Sequence, residues 1–121
     1  MINYGHTHEV YASEETDTGA VWMDGKPIYR RTVTFGAVAA GGEASVSLEL
    51  GANLDTVVSI RGMAVMADPQ YVIPLPMAQQ TDNLAYWIGV GNATTNPVVT
   101  LAAGSGAGIS SAFVVVEYTK K

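Results

Sequence analysis

The chain has 121 residues, no cysteine and a formal net charge of −5. Its length suits one domain with a core of its own, and the lack of cysteine excludes disulfides, thiolate metal sites and thiol catalysis. Six Lys plus Arg against eleven Asp plus Glu leave no basic footprint for nucleic acid and no polybasic patch for a membrane surface.

Charged residues make up 14% of the chain and hydrophobic residues 48%, against about 25% charged in an average soluble domain. Such a composition suits a large internal core or a surface buried against other copies, and by itself does not choose. No apolar run approaches the roughly 18 residues of a spanning helix. Met1-Ile-Asn-Tyr-Gly-His6 lacks a basic and then an apolar region, so no signal peptide is expected.

Residues 1–18 are polar and acidic, with Glu9, Glu14, Glu15 and Asp17 beside His6 and His8. They are expected to form an extended N-terminal arm ordered by a neighbour, with a brief strand at Glu9–Tyr11. Residues 19–121 are expected to form the folded domain. Within Gly19–Arg31, Asp24-Gly25 joins two extended runs, which predicts a hairpin with a type I′ turn and positive φ at both central residues. Ile28–Phe35 then alternates, with Tyr29, Val33 and Phe35 on one face and Arg30, Thr32 and Thr34 on the other. Arg31 falls on the apolar side, which places it at a sheet end or an interface.

Gly41-Gly42 breaks the chain before a strand over Ser45–Leu50, with Val46, Leu48 and Leu50 inward. Thr56–Met66 is a longer strand in which Gly62 marks a bulge or a close backbone approach. Asp68-Pro69 is a turn signal. Pro74 and Pro76 confine Tyr71–Met77 to an edge strand or an extended segment. A loop over Gln79–Asn83 leads to a strand at Leu84–Val90, where Tyr86 and Trp87 face opposite ways. Pro97–Ala103 and Ile109–Thr119 follow, separated by a hairpin loop at Gly104–Gly108. The last strand is apolar on both faces and so belongs in the middle of a sheet. About eight strands at regular spacing predict an all-β, antiparallel β-sandwich of jelly-roll type.

Signals for catalysis are weak. There is no Gly-x-Ser-x-Gly elbow, no phosphate loop with its lysine and no His-Glu-x-x-His, and no catalytic residue is assigned. His6 and His8 are i and i+2, so in an extended arm both imidazoles face one side. Three chains around a threefold axis would supply six ligands, which suits an octahedral transition metal ion, whereas two solvated histidines are the commoner case. Trp22, Tyr29, Arg30, Arg31, Tyr86 and Trp87 are candidates for a binding surface or subunit interface, the tryptophans also for stacking on a sugar.

Val10-Tyr-Ala-Ser-Glu-Glu15, then Gly19, then Val21-Trp-Met-Asp-Gly-Lys-Pro-Ile-Tyr-Arg-Arg-Thr32 resembles a segment that recurs in tail-associated and fibre proteins of bacteriophages. The recurring pattern there is Tyr-Ser-Thr-Glu-Glu, a spacer, Gly, and Trp-Ile-Asp-Gly-Lys-Pro-Ile/Leu-Tyr with a basic residue and Thr. Val116-Glu-Tyr-Thr-Lys120 is similar to the close of those proteins. The match covers roughly residues 10–34 and 114–120 and departs at Ala12-Ser13 and Met23. The resemblance implies a virion component assembled in the host cytoplasm: a β-rich fibre, tail-tip or head-decoration domain. Such a domain is commonly trimeric and binds other virion proteins and a host-surface glycan. It also implies a role for His-x-His pairs in binding iron on the threefold axis. The alternative expectation is a monomeric carbohydrate-binding β-sandwich module.

Overall fold

A computed structural model describes residues 10–67, 71–79 and 84–121. Within them lie nine strands and no helix: β1 (Thr16–Val21), β2 (Pro27–Phe35), β3 (Glu43–Ser47), β4 (Leu54–Met66), β5 (Val72–Leu75), β6 (Met77–Gln79), β7 (Leu84–Gly91), β8 (Val98–Ala102) and β9 (Ile109–Lys120). They form two antiparallel sheets, of order β1-β2-β9-β4-β5 and β3-β8-β7-β6.

The sheets pack face to face because alternation gives each one apolar side. Val33, Phe35, Ala64, Val114, Val116 and Tyr118 of the larger sheet meet Leu48, Tyr86, Ile88, Val99 and Leu101 in one core. Burying each Val, Leu, Ile or Phe contributes about 1.5–3 kcal/mol. β9 lies between β2 and β4, as its two apolar faces require. Val114, Val116 and Tyr118 fill the core, while Val115 and Thr119 are buried on the opposite face. In β2, Arg31 shares the inward parity of Val33 and Phe35 but lies at mid-strand opposite Val116, so of its two readings the sheet end is corrected. The expected segment Tyr71–Met77 is split: β5, which holds Pro74, is the edge strand of the larger sheet, and Met77 opens β6 in the other. The chain crosses between sheets at the cis Leu75–Pro76 bond, with Leu75 paired to Gly62 on one side and Met77 to Tyr86 on the other.

Gly62 sits opposite Val114 in regular register, and the bulges of β4 lie elsewhere. Of the two readings of this glycine, the structure therefore selects close approach. A Cβ there would collide with the carbonyl oxygen of Phe113 and lie 3.2 Å from the Val114 Cα.

Several expectations are revised. The β1–β2 hairpin closes through hydrogen bonds from Trp22 N to the Lys26 oxygen and from Gly25 N to the Trp22 oxygen. Only Gly25 of the central pair has positive φ, at 86°, so this is a three-residue loop with a left-handed glycine rather than a type I′ turn. Asp24 explains the change, because its Oδ1 accepts from Lys26 N at 3.0 Å and holds the preceding turn right-handed.

Strand β1 takes Thr16, Asp17 and Thr18 from the segment read as arm, and Val10 and Tyr11 are in no strand. Strand β3 ends at Ser47, because Glu49 adopts φ of 60° and breaks the alternation before Leu50. Residues 104–108 link β8 in one sheet to β9 in the other, so they are a crossover and not a hairpin loop. Gly108 serves close packing there, since a Cβ would lie 2.9 Å from the Val38 carbonyl oxygen. Glu9, the Asp68-Pro69 turn and positions 80–83 of the Gln79–Asn83 loop lie outside the described residues.

Candidate functional site

Two regions bring chemistry-bearing side chains together. The first joins residues from the two ends of the chain. β2 pairs with β9 so that Tyr29 faces Tyr118 and Arg30 faces Glu117. Arg30 is 7% exposed. Its Nη2 lies 2.7 Å from Glu117 Oε2 and its Nε donates to the same oxygen at 2.8 Å. The Tyr11 ring covers the guanidinium, 4.4 Å from its carbon. On the opposite face Glu15 accepts from the Tyr118 hydroxyl through Oε1 and from Lys120 Nζ through Oε2, each at 2.7 Å. Lys120 also sits 4.2 Å above the Tyr29 ring.

Arg31 completes this clasp. Its Nε donates to the Ser13 carbonyl at 2.7 Å, its Nη1 to the Leu48 carbonyl, and its Nη2 meets Glu49 at 3.3 Å. Thr32 N donates to the Ala12 carbonyl at 2.8 Å. Residues 11–15 are thus held by the domain's own sheet, through side chains of both faces. Glu14, Glu15, Arg31, Glu49, Asn53 and Lys120 line an open hollow of about 390 Å3 at this end of the sandwich.

The burial of Tyr118, reinforced by its hydrogen bond to Glu15, pushes the phenol well above the ordinary tyrosine value of 10.0. The folded state therefore retains a proton that the unfolded chain releases. The resulting stabilisation is complete below pH 10 and is lost as pH rises above it. Urea denaturation between pH 8 and 11 should show stability falling above pH 10, with a shallower fall in Tyr118→Phe; equal slopes would dismiss the assignment.

The second region is the outer face of the four-stranded sheet. Trp87 is 52% exposed there, on the same face as Gly89 and paired across to Ala102.

The candidate interface residues separate accordingly. Tyr86 is corrected: it is 2% exposed, and its hydroxyl donates to the Ala107 carbonyl at 3.1 Å, so it is a core residue closed to any ligand. Tyr29, Arg30 and Arg31, candidates for a binding surface or subunit interface, make the internal contacts just described. Trp22 is half-buried at the hairpin loop, where Lys26 anchors the turn to Asp55, near the start of β4, at 2.8 Å. Of the six candidates, only Trp87 stands out towards solvent. His6 and His8 lie outside the described residues, and among the described residues no three His, Asp or Glu side chains group to hold a metal ion.

Sequence reasoning missed Tyr11, Glu15, Glu117, Tyr118 and Lys120. A signal for them was present in the two segments of the resemblance, 10–34 and 114–120, which the structure brings into contact. Gly89 was also missed, although Trp-x-Gly on a strand puts both residues on one face. Comparison with protein-family models, with curated proteins and with solved structures found no match.

Proposed function

We propose that this chain is a structural protein of a bacteriophage virion, a fibre or tail-tip domain for assembly and host-surface attachment that works as a homotrimer without catalysis. The observation that carries the reading is the clasp. The segments resembling phage fibre proteins, one near each end of the chain, are two halves of one physical unit. Glu15 bonds Tyr118 and Lys120, Tyr29 lies beside Tyr118 at 6.3 Å between centroids, and Arg30 pairs with Glu117. The recurring segment thereby acquires a physical role, fastening the incoming chain to a β-sandwich head. His6 and His8, which lie outside the described residues, are the ligands this reading assigns to a metal ion shared by the trimer. The sandwich head, rolled so that β2–β9 and β3–β8 bring distant strands together, carries the attachment surface. A charge content of 14% fits a protein that buries exterior against its copies, since interface cores are depleted in charge.

Light scattering tests the assembly. A particle of three times the 12.7 kDa chain is expected at micromolar concentration, and a monomer would overturn it. Metal analysis of the same sample should find iron or a related ion in a one-to-three ratio with chains, lost in His6→Ala.

A further inference from the structure

The outer face of the four-stranded sheet is organised around Trp87. Pairing sets three cross-strand rows: Trp87–Ala102–Glu43, Gly89–Thr100–Ser45 and Gly91–Val98–Ser47. Trp87 leans along its own strand onto Gly89, where an added Cβ would lie 2.6 Å from both Cη2 and Cζ2 of the indole. The glycine is what lets the ring lie down against the sheet; any side chain there would lift it away. Beside it, Ser45 Oγ and Thr100 Oγ1 form a hydroxyl pair at 2.9 Å. Ala102, paired across from Trp87, adds little bulk beside the ring.

The charge on this face selects among ligands. None of the six Lys and Arg residues falls in β3, β6, β7 or β8, and Glu43 is the one carboxylate of those strands. A phosphate, sulfate, uronate or sialate would meet a carboxylate, no cation, and a chain of net charge −5. A neutral sugar suffers no such penalty. Its apolar C–H face matches an exposed indole, and its hydroxyls match Ser45, Thr100 and the accepting Glu43 carboxylate.

We infer that Trp87, with Gly89, Ser45, Thr100 and Glu43, forms a binding site for a neutral hexopyranose unit of a cell-surface polysaccharide. This deepens the attachment role proposed above by naming its ligand class, and it rests on that role only for its biological setting. Trp22→Phe leaves Trp87 as the sole indole, so its emission reports the site directly. Titration with neutral methyl hexosides and their oligosaccharides should give a saturating emission change, in the millimolar range for a monosaccharide. Sialylated sugars at equal concentration should give none. In a glycan-binding assay, Trp87→Ala and Gly89→Val should each weaken binding at least tenfold, with the far-ultraviolet spectrum and melting temperature kept. Gly89→Val retains the indole and displaces it, which separates ring position from mere hydrophobicity. No saturable change with any neutral sugar, unchanged binding in Gly89→Val, or Trp87 emission already buried in a sugar-free oligomer would overturn the site, the last by making this face a contact between copies. A trimer that binds no neutral sugar overturns the site and leaves the assembly reading standing; a monomer that binds one does the reverse.

Discussion

Glu117→Ala should destabilise the domain by about 3–5 kcal/mol, the usual effect of removing one partner of a buried ion pair. The side chains of Arg30 and Glu117 are 8% and 17% exposed, so solvent does little to replace the lost carboxylate. The guanidinium keeps its place under Tyr11 and stays charged at any pH the fold survives. For a chain of this size the melting temperature should drop by about 10–15 °C. The effect should persist in high salt, because a buried pair is poorly screened. The double variant Arg30→Met with Glu117→Leu should recover most of the loss, since an apolar pair of similar volume avoids the desolvation cost. Urea denaturation of the three proteins checks this. A Glu117→Ala loss below about 1 kcal/mol would mean that the pair is solvated.

Gly62→Ala should be at least as damaging, by about 3 kcal/mol or more, from a single methyl group. The added Cβ has no flexible neighbour to push aside: it meets the Phe113 carbonyl oxygen and the Val114 Cα, both backbone atoms of the central strand. To admit it, β4 must part from β9 along the longest pairing in the molecule, and overpacking of this kind is costly even where side chains can yield. Gly91→Ala is the fair comparison. It too is a strand glycine, but its nearest contact would be Val98 Cγ2 at an ordinary 3.7 Å, so its stability should stay within about 1 kcal/mol of the parent. Equal stabilities for the two variants would show that β4 and β9 adjust freely.

Several features that depend on local pattern were legible before folding. Apolar residues at both parities, Val114 and Val116 on one side and Phe113 and Val115 on the other, placed β9 in the middle of a sheet, although Phe113 remains 42% exposed. Pro74 and Pro76 remove ladder donors, so Tyr71–Met77 had no place but an edge strand or an extended segment. Gly62 within a β-branched run announced that something comes close. Trp87 opposite Tyr86 announced that one of the two is outside.

What tertiary structure decided is which distant groups meet. Nothing at Arg30 says that Glu117 will neutralise it, and nothing at Glu15 says that Tyr118 and Lys120 will share its carboxylate. Arg30 and Glu117 are 87 positions apart in the chain, and they meet because β2 and β9 lie side by side. The same holds for Gly104–Gly108, whose glycines suit a hairpin or a crossover, whereas the turn at Asp24-Gly25 was decided locally, by the Asp24 side chain accepting from Lys26 N. By itself, the amino-acid order determined most of the strands, the faces of the well-alternating ones and a head rich enough in apolar residues to pack. Folding determined that the polar residues flanking them form a clasp, and that the indole of Trp87 lies on Gly89 in a charge-poor face. The reason is physical: alternation and backbone propensity act over a few residues, whereas ion pairing and ring stacking require a neighbour that only strand order supplies.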